Sequence, residues 1–101
     1  MTDVRVVDPL GRAIVLHDRT WFGHILKAHP EMDGHKALAE AALAAPDEIR
    51  HSRSDPNVRI YFGPGPRSEI MMMVVADVAL GLVKTAHFAR RVSAGAQEWS
   101  K

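Results

Sequence analysis

The hydrophobic period of the chain changes from helical to two after Pro46, and this change most constrains the fold. Four short runs follow, at residues 49–53, 58–62, 69–77 and 82–88, and their composition and period are typical of β-strands. Because links as short as those between the runs join neighbouring antiparallel strands, the pattern predicts a four-stranded antiparallel sheet. The run 70–76 is apolar at nearly every position, and we expect it to be the central strand.

Two helical stretches precede this sheet. Residues 21–31 read WFGHILKAHPE, which places Trp21 and Ile25 on one apolar face and ends the helix before Pro30. Asp18 is expected to cap the start of this helix. Residues 35–45 predict an alanine-rich second helix. Residues 4–7 and 12–17 predict a hairpin or an extended lead-in, and residues 92–101 fit either a last turn or a short strand.

The predicted fold class is therefore α+β, with two N-terminal helices packed on a four-stranded antiparallel sheet after a short β lead-in. The 101 residues suit a single domain, 1–101. The sequence has no cysteine, which excludes disulfides and thiolate metal sites. It shows no apolar secretory segment at its start, and its longest apolar run, seven residues, is too short to span a bilayer. We therefore expect a cytoplasmic protein with no membrane partner.

Charge and strand alternation together predict a polar sheet face. Residues 1–49 hold five Lys/Arg and eight Asp/Glu, whereas residues 50–101 hold eight and four. If Val58, Ile60 and Phe62 face the helices, the opposite face carries basic, aromatic and hydroxyl side chains. These are Arg50, Ser52, Arg59, Tyr61, Thr85 and His87. Such a face fits an anion-binding surface or a solvated one.

The histidines suggest proton transfer more than metal binding. His29 lies at the carboxyl end of the first helix, two residues before Glu31, and both features interact favourably with a cation. His29 is thus a candidate proton-transfer group or merely a polar residue that ends a helix. His24 and His29 are five residues apart, about 140° around a helix, so they converge poorly on one ion. We therefore expect no metal site. The glycine-rich segment 63–67, GPGPR, is interpreted as a hairpin loop and not as a phosphate-binding loop, because its prolines lack the N–H donors that a phosphate needs.

The order of several short motifs resembles one family of domains. The motifs are HI-x3-HPE-M at residues 24–32, PDEI at 46–49, Ser52, IYF at 60–62 and VKTAH at 83–87. They resemble small phage- and toxin-associated domains of the barnase–EndoU–colicin–RelE-like nuclease group, in which two helices precede a four-stranded antiparallel sheet. The resemblance covers about residues 14–99. His24 and His29 match paired histidines of the first helix, whereas His87 departs from the family, in which tyrosine is common at that position.

The resemblance implies a metal-independent ribonuclease or ribonuclease toxin that needs no cofactor and cleaves RNA by attack of the 2′-hydroxyl. Such chemistry needs a base, an acid and donors around the phosphate. We expect His29 and His87 to be the catalytic pair, with His24 and Glu31 orienting them. Phosphate binding is assigned to Arg50, Arg53 and Tyr61, and hydrogen-bond donation to Ser52 and Thr85. The expected partners are RNA and a cognate inhibitor or antitoxin. The alternatives are a non-catalytic phage-encoded module that binds RNA or protein, and a domain whose polar face is only solvated.

Overall fold

Seven strands form one curled, half-barrel sheet in the computed structural model, which describes residues 3–101. In chain order they are β1 Val4–Val7, β2 Ala13–Leu16, β3 Glu48–His51, β4 Val58–Arg67, β5 Ile70–Asp77, β6 Leu82–Ala89 and β7 Gln97–Ser100. Their order across the sheet is β1-β2-β6-β5-β4-β3-β7. Neighbouring strands are antiparallel, except that β2 runs parallel to β6 through the pair Val15 and Leu82.

Two helices accompany the sheet. Helix α1 covers residues 18–28 and contains one π-helical turn, Trp21–Ile25, between α-helical ends. It ends at His29, and a short 3-10 turn, Pro30–Met32, follows. Helix α2 is Lys36–Ala44. No helix among residues 3–101 is long and apolar enough to cross a membrane.

The predicted fold class, two helices on a four-stranded antiparallel sheet, is wrong. The four predicted strands exist near their expected positions, but β1 and β2 extend the sheet at one edge and β7 extends it at the other. The parallel pairing of β2 with β6 joins segments far apart in sequence. Hydrophobic periodicity reports only local structure, so it did not reveal this pairing.

Helix α1 starts differently from the prediction. Its first residue is Asp18, and no side chain of its own N-terminal flank caps it. Instead, the N–H of Asp18 donates to Asp3 Oδ1 at 2.8 Å, while the Asp18 carboxylate accepts from Lys36 Nζ at 3.2 Å. The predicted Asp18 cap is therefore wrong, because a residue from before β1 satisfies the helix end. Trp21 and Ile25 are core residues as predicted, with exposed fractions of 2% and 0%.

The register of the sheet defines a core face and an outer face. On the core face Tyr61 stands opposite Val74, which stands opposite Ala86, and this face packs against the two helices. On the outer face the corresponding row is Arg50, Ile60, Val75 and Thr85. Because neighbouring residues alternate, Arg59 and Tyr61 belong to the core face and Val58, Ile60 and Phe62 to the outer face. The predicted orientation of this strand is therefore reversed.

Candidate functional site

The structure brings together two histidines that are distant in sequence. The ring centroids of His29 and His87 are 5.1 Å apart, and the ring planes are inclined by 33°. His29 follows the last residue of α1, and His87 lies in β6 opposite Met73, on the outer face. Both side chains are half-buried. Two imidazoles this close can contact the same small group.

The main chain fixes the position of His29. Its N–H donates to the Ile25 carbonyl at 2.7 Å, and its carbonyl accepts the N–H of Met32 at 3.0 Å. Pro30 has no N–H and restricts the conformation of His29, which has φ −135° and ψ 75°. Met32 is fully buried and anchors the 3-10 turn in the core. The ring therefore projects from a rigid junction between helix and turn.

A carbonyl group fixes the proton of His87. Its Nδ1 lies 3.0 Å from the Phe88 carbonyl oxygen. A carbonyl oxygen only accepts, so Nδ1 is the donor, and Nε2 of the neutral ring keeps a lone pair. The ring of Phe88 is in turn packed edge-on against His35, with centroids 5.3 Å apart. His35 was not predicted, and no motif or spacing in the sequence marks it.

The other predicted residues near the pair divide into two groups. Thr85 lies two residues before His87 on the same strand face, so its hydroxyl is close to the pair in the sheet. His24 and Glu31 are exposed, and neither forms a hydrogen bond or ion pair with any residue in 3–101. The structure therefore does not bring the predicted orienting residues to the pair. The Phe88 carbonyl and the main-chain contacts of His29 hold the rings instead.

The predicted phosphate contacts on β3 and directly after it lie away from the histidines. Strand β3 is three strands from β6, about 14 Å along the sheet. Arg50 donates to Glu48 Oε2 at 3.2 Å and to the Gly95 carbonyl at 3.1 Å, and Arg53 donates to the Ala94 carbonyl at 3.0 Å. The hydroxyl of Ser52 accepts the N–H groups of Ser54 and Asp55 at 3.2 and 3.3 Å. These side chains stabilise the neighbouring loops, and they do not join the histidine pair.

Tyr61, predicted to hold phosphate, is instead a buried structural residue. It is 0% exposed, and its hydroxyl donates to Asp8 Oδ2 at 2.6 Å. Asp8 also accepts from Arg12 Nε at 2.8 Å and from the N–H groups of Leu10 and Arg12 at 3.0 and 2.9 Å. Burial opposes ionisation of Asp8, but the bonds from Tyr61 and Arg12 outweigh it and lower its pKa. Tyr61 is thus unavailable to a substrate.

The same network connects the two edge regions of the sheet. Arg12, just before β2, donates to Glu98 in β7 at 2.7 and 3.1 Å, and Glu98 also accepts from Arg59 Nε in β4 at 2.8 Å. Burial opposes ionisation of Glu98, yet the two arginines lower its pKa. Tyr61, Asp8, Arg12, Glu98 and Arg59 therefore form what we call the closing network. It holds the beginning of the curled sheet against its far end.

Within the described part of the chain, no three His, Asp or Glu side chains are grouped so that they could hold a metal ion.

No protein-family model, no curated protein and no solved structure matches the chain. A function for this chain is therefore inferred from the geometry of the site and from the order of motifs in the sequence.

Proposed function

We propose that the protein is a metal-independent endoribonuclease of the cytoplasm, with His29 and His87 as its acid/base pair. The observation that carries this proposal is the 5.1 Å separation of the two rings. Each ring is positioned by a different element, one by the end of α1 and the other by β6. Proton transfer at two atoms of one phosphodiester needs two groups at such a spacing.

The two rings suit different roles in the proposed reaction. His87 Nε2 accepts the proton of the ribose 2′-hydroxyl, because Nδ1 already donates to a carbonyl. The 2′-oxygen then attacks phosphorus, and the bond from phosphorus to the 5′-oxygen breaks. His29, beyond the carboxyl end of α1 where a cation is stabilised, gives its proton to that departing oxygen. The products are a 2′,3′-cyclic phosphate and a free 5′-hydroxyl, and the transferred proton is accounted for.

Residues close to the pair in the sequence supply stabilisation of the phosphate in this scheme. Thr85 contributes a hydroxyl on the face that carries His87. Lys27, two residues before His29, and Arg90, directly after β6, are both exposed. Cations and donors placed around a phosphorane reduce the cost of its developing charge. We assign phosphate binding to these residues in place of Arg50, Arg53 and Tyr61.

Incubation of purified protein with mixed RNA and with a matched DNA oligonucleotide, in excess chelator and over a range of pH, tests the proposal. We expect cleavage of RNA alone, a cyclic phosphate on the 5′ fragment and a bell-shaped pH–rate profile. His29→Ala and His87→Ala should each abolish cleavage. His51→Ala, which removes a half-buried histidine on β3, is the matched control and should retain it. Cleavage of DNA, or cleavage that chelator stops, would contradict the mechanism.

Stability measurements separate a catalytic role of His29 from a structural one. Trp21→Ala should lower the free energy of unfolding by about 3–5 kcal/mol, because Trp21 is a large core residue. His29→Ala should cost much less, since its ring is half-buried and forms no hydrogen bond with residues 3–101. If both variants lose comparable stability, loss of cleavage in His29→Ala says nothing about catalysis.

A second candidate function is a non-catalytic module that binds a protein. The outer face places Ile60, Met73 and Val75 side by side, and all three are half-buried apolar residues. Met73 stands directly opposite His87, so a protein on this face would also cover the histidine pair. A cognate inhibitor would have this property if the protein is a nuclease. Expression in a host distinguishes the two functions, because a ribonuclease arrests growth in a His87-dependent manner and a binding module does not.

A further inference from the structure

A groove of about 520 Å³ opens beside the first turns of α1. Its lining combines an acid–histidine contact, a cation and an aromatic ring, contributed by Asp3, His17, Asp18, Arg19 and Phe22. Phe22 is 47% exposed, so part of its ring is open to a ligand in the groove. The groove lies at the opposite end of α1 from His29.

The acidic groups of the groove are already satisfied. Asp3 Oδ2 lies 2.7 Å from His17 Nδ1, and Asp3 Oδ1 accepts the N–H of Asp18. The Asp18 N–H and then His17 lower the pKa of Asp3, so its carboxylate remains ionised and paired. The carboxylate of Asp18 is paired with Lys36. The negative charges that line the groove are therefore balanced by neighbouring bases.

The groups left to interact with a ligand are aromatic and basic. Arg19 is exposed, and although its charge acts on nearby Asp3, it forms no hydrogen bond or ion pair within residues 3–101. Asp18 is the one acidic residue in the segment 18–28, whereas exposed His24 and Lys27 continue along it towards His29. An aromatic platform beside cations is the arrangement that binds single-stranded nucleic acid, with bases stacked and phosphates neutralised.

We infer that this groove binds one nucleotide of a single-stranded RNA, its base stacked on Phe22 and its phosphate beside Arg19. The inference rests on the proposed ribonuclease function and names a second subsite for the same substrate. Arg19 and Phe22 lie ten and seven residues before His29, about 15 and 10 Å at the helical rise. An RNA must therefore be several nucleotides long to occupy the groove and the histidine pair together, and a dinucleotide cannot do so.

Binding is measured first, in a His87→Ala background that leaves the RNA uncut. The probe is a fluorescently labelled single-stranded RNA, titrated against Phe22→Ala and its control Leu80→Ala, which removes another exposed side chain on the β5–β6 turn. We expect Phe22→Ala to weaken binding about fivefold to a hundredfold and Leu80→Ala to leave it unchanged. Arg19→Ala should reduce the slope of log affinity against log salt by about 0.7, and Arg67→Ala, on the β4–β5 hairpin, should not.

Cleavage kinetics then separate the two proposals. With His87 intact, Phe22→Ala should raise KM for long RNA and leave cleavage of a dinucleotide unchanged. Equal binding by Phe22→Ala and Leu80→Ala, or equal losses on long RNA and dinucleotide, would overturn the groove assignment while leaving the ribonuclease function intact. If the parent protein cuts no RNA but binding still depends on Phe22 and Arg19, the groove stands and the ribonuclease function fails. Melting curves confirm that each variant is folded, and Arg19→Ala provides an independent test if Phe22→Ala is not.

Discussion

The closing network makes a quantitative prediction about Tyr61→Phe. The phenol ring is 0% exposed, and its hydroxyl donates to the ionised Asp8 at 2.6 Å. The substitution keeps the ring and removes one hydrogen bond to a charged acceptor, a bond that is typically worth about 1.5–3 kcal/mol. Asp8 keeps three other donors, including the Arg12 guanidinium. We therefore expect Tyr61→Phe to lower the free energy of unfolding by about 2 kcal/mol, less than the roughly 3–5 kcal/mol lost when one partner of a buried ion pair is removed.

Urea unfolding followed by tryptophan fluorescence measures this loss. Tyr61→Phe should lower the unfolding midpoint by about 1 M without changing the denaturant slope, because the variant exposes the same surface on unfolding. Asp8→Ala removes the shared acceptor and should lose more stability than Tyr61→Phe. Ser68→Ala removes an exposed hydroxyl and should change stability by less than about 0.5 kcal/mol. If Tyr61→Phe unfolds at the same midpoint as Ser68→Ala, the network does not stabilise the fold and the reasoning fails.

Three further predictions follow from neighbouring contacts. Burial and the hydrogen bond to Asp8 raise the pKa of Tyr61, the one tyrosine of the chain. The stability that this bond contributes is therefore complete below about pH 10 and is lost as the pH rises further. Tyrosinate absorbance should appear only as the protein unfolds. Because the pKa of Glu98 is lowered in the folded protein, its ion pairs stabilise the fold above about pH 4.5 and are lost on acidification. In Glu98→Gln the urea concentration at the unfolding midpoint should therefore depend less on pH in that range than it does in the parent protein. Gly63→Ala should cost about 1–3 kcal/mol in the same assay, because its Cβ would lie 2.9 Å from Ala42 Cβ.

Local features of the sequence predicted most strands but not their limits. Turn residues at 54–57 and 78–81 do separate β3 from β4 and β5 from β6. The segment 63–67, predicted as a hairpin loop, is instead the end of β4, and a two-residue turn, Ser68 and Glu69, leads into β5. A register irregularity between Pro64 and Arg67 accommodates the prolines, which cannot donate to a regular ladder. Proline therefore marked a bulged strand here and not a turn.

The orientation of β4 shows why alternation alone gave the wrong face. Arg59 and Tyr61 are polar and Ile60 is apolar, so alternation placed the polar pair outside. In the structure, buried Asp8 and half-buried Glu98 accept hydrogen bonds from these side chains, from the two ends of the chain. Burial of a polar group is favourable once its hydrogen bonds are satisfied. Partners 53 and 39 residues away leave no signal in a local pattern.

The histidine pair depends on the parallel strand pairing that periodicity did not reveal. Strand β2 is four residues long and aligns with the start of β6 through Val15 and Leu82. The chain then enters α1, which contacts β6 and runs on beside it until His29 meets His87. The order of motifs therefore singled out His29 and His87, whose rings are in contact in the structure, although the four-stranded fold that it implied is wrong.

This dependence links stability to the site in a specific way. The closing network ties Arg12, the residue before β2, to Asp8 and to Glu98 of β7, and the pairing of β2 with β6 fixes where α1 begins. As long as β2 stays paired with β6, the two rings remain together, because the main chain on both sides of His29 is hydrogen-bonded. Weakening the network should therefore reduce the folded population and leave the geometry of the folded molecules unchanged. Any cleavage by Tyr61→Phe should follow its folded fraction across a urea titration, whereas a loss at zero urea would mean that the network also positions the histidines.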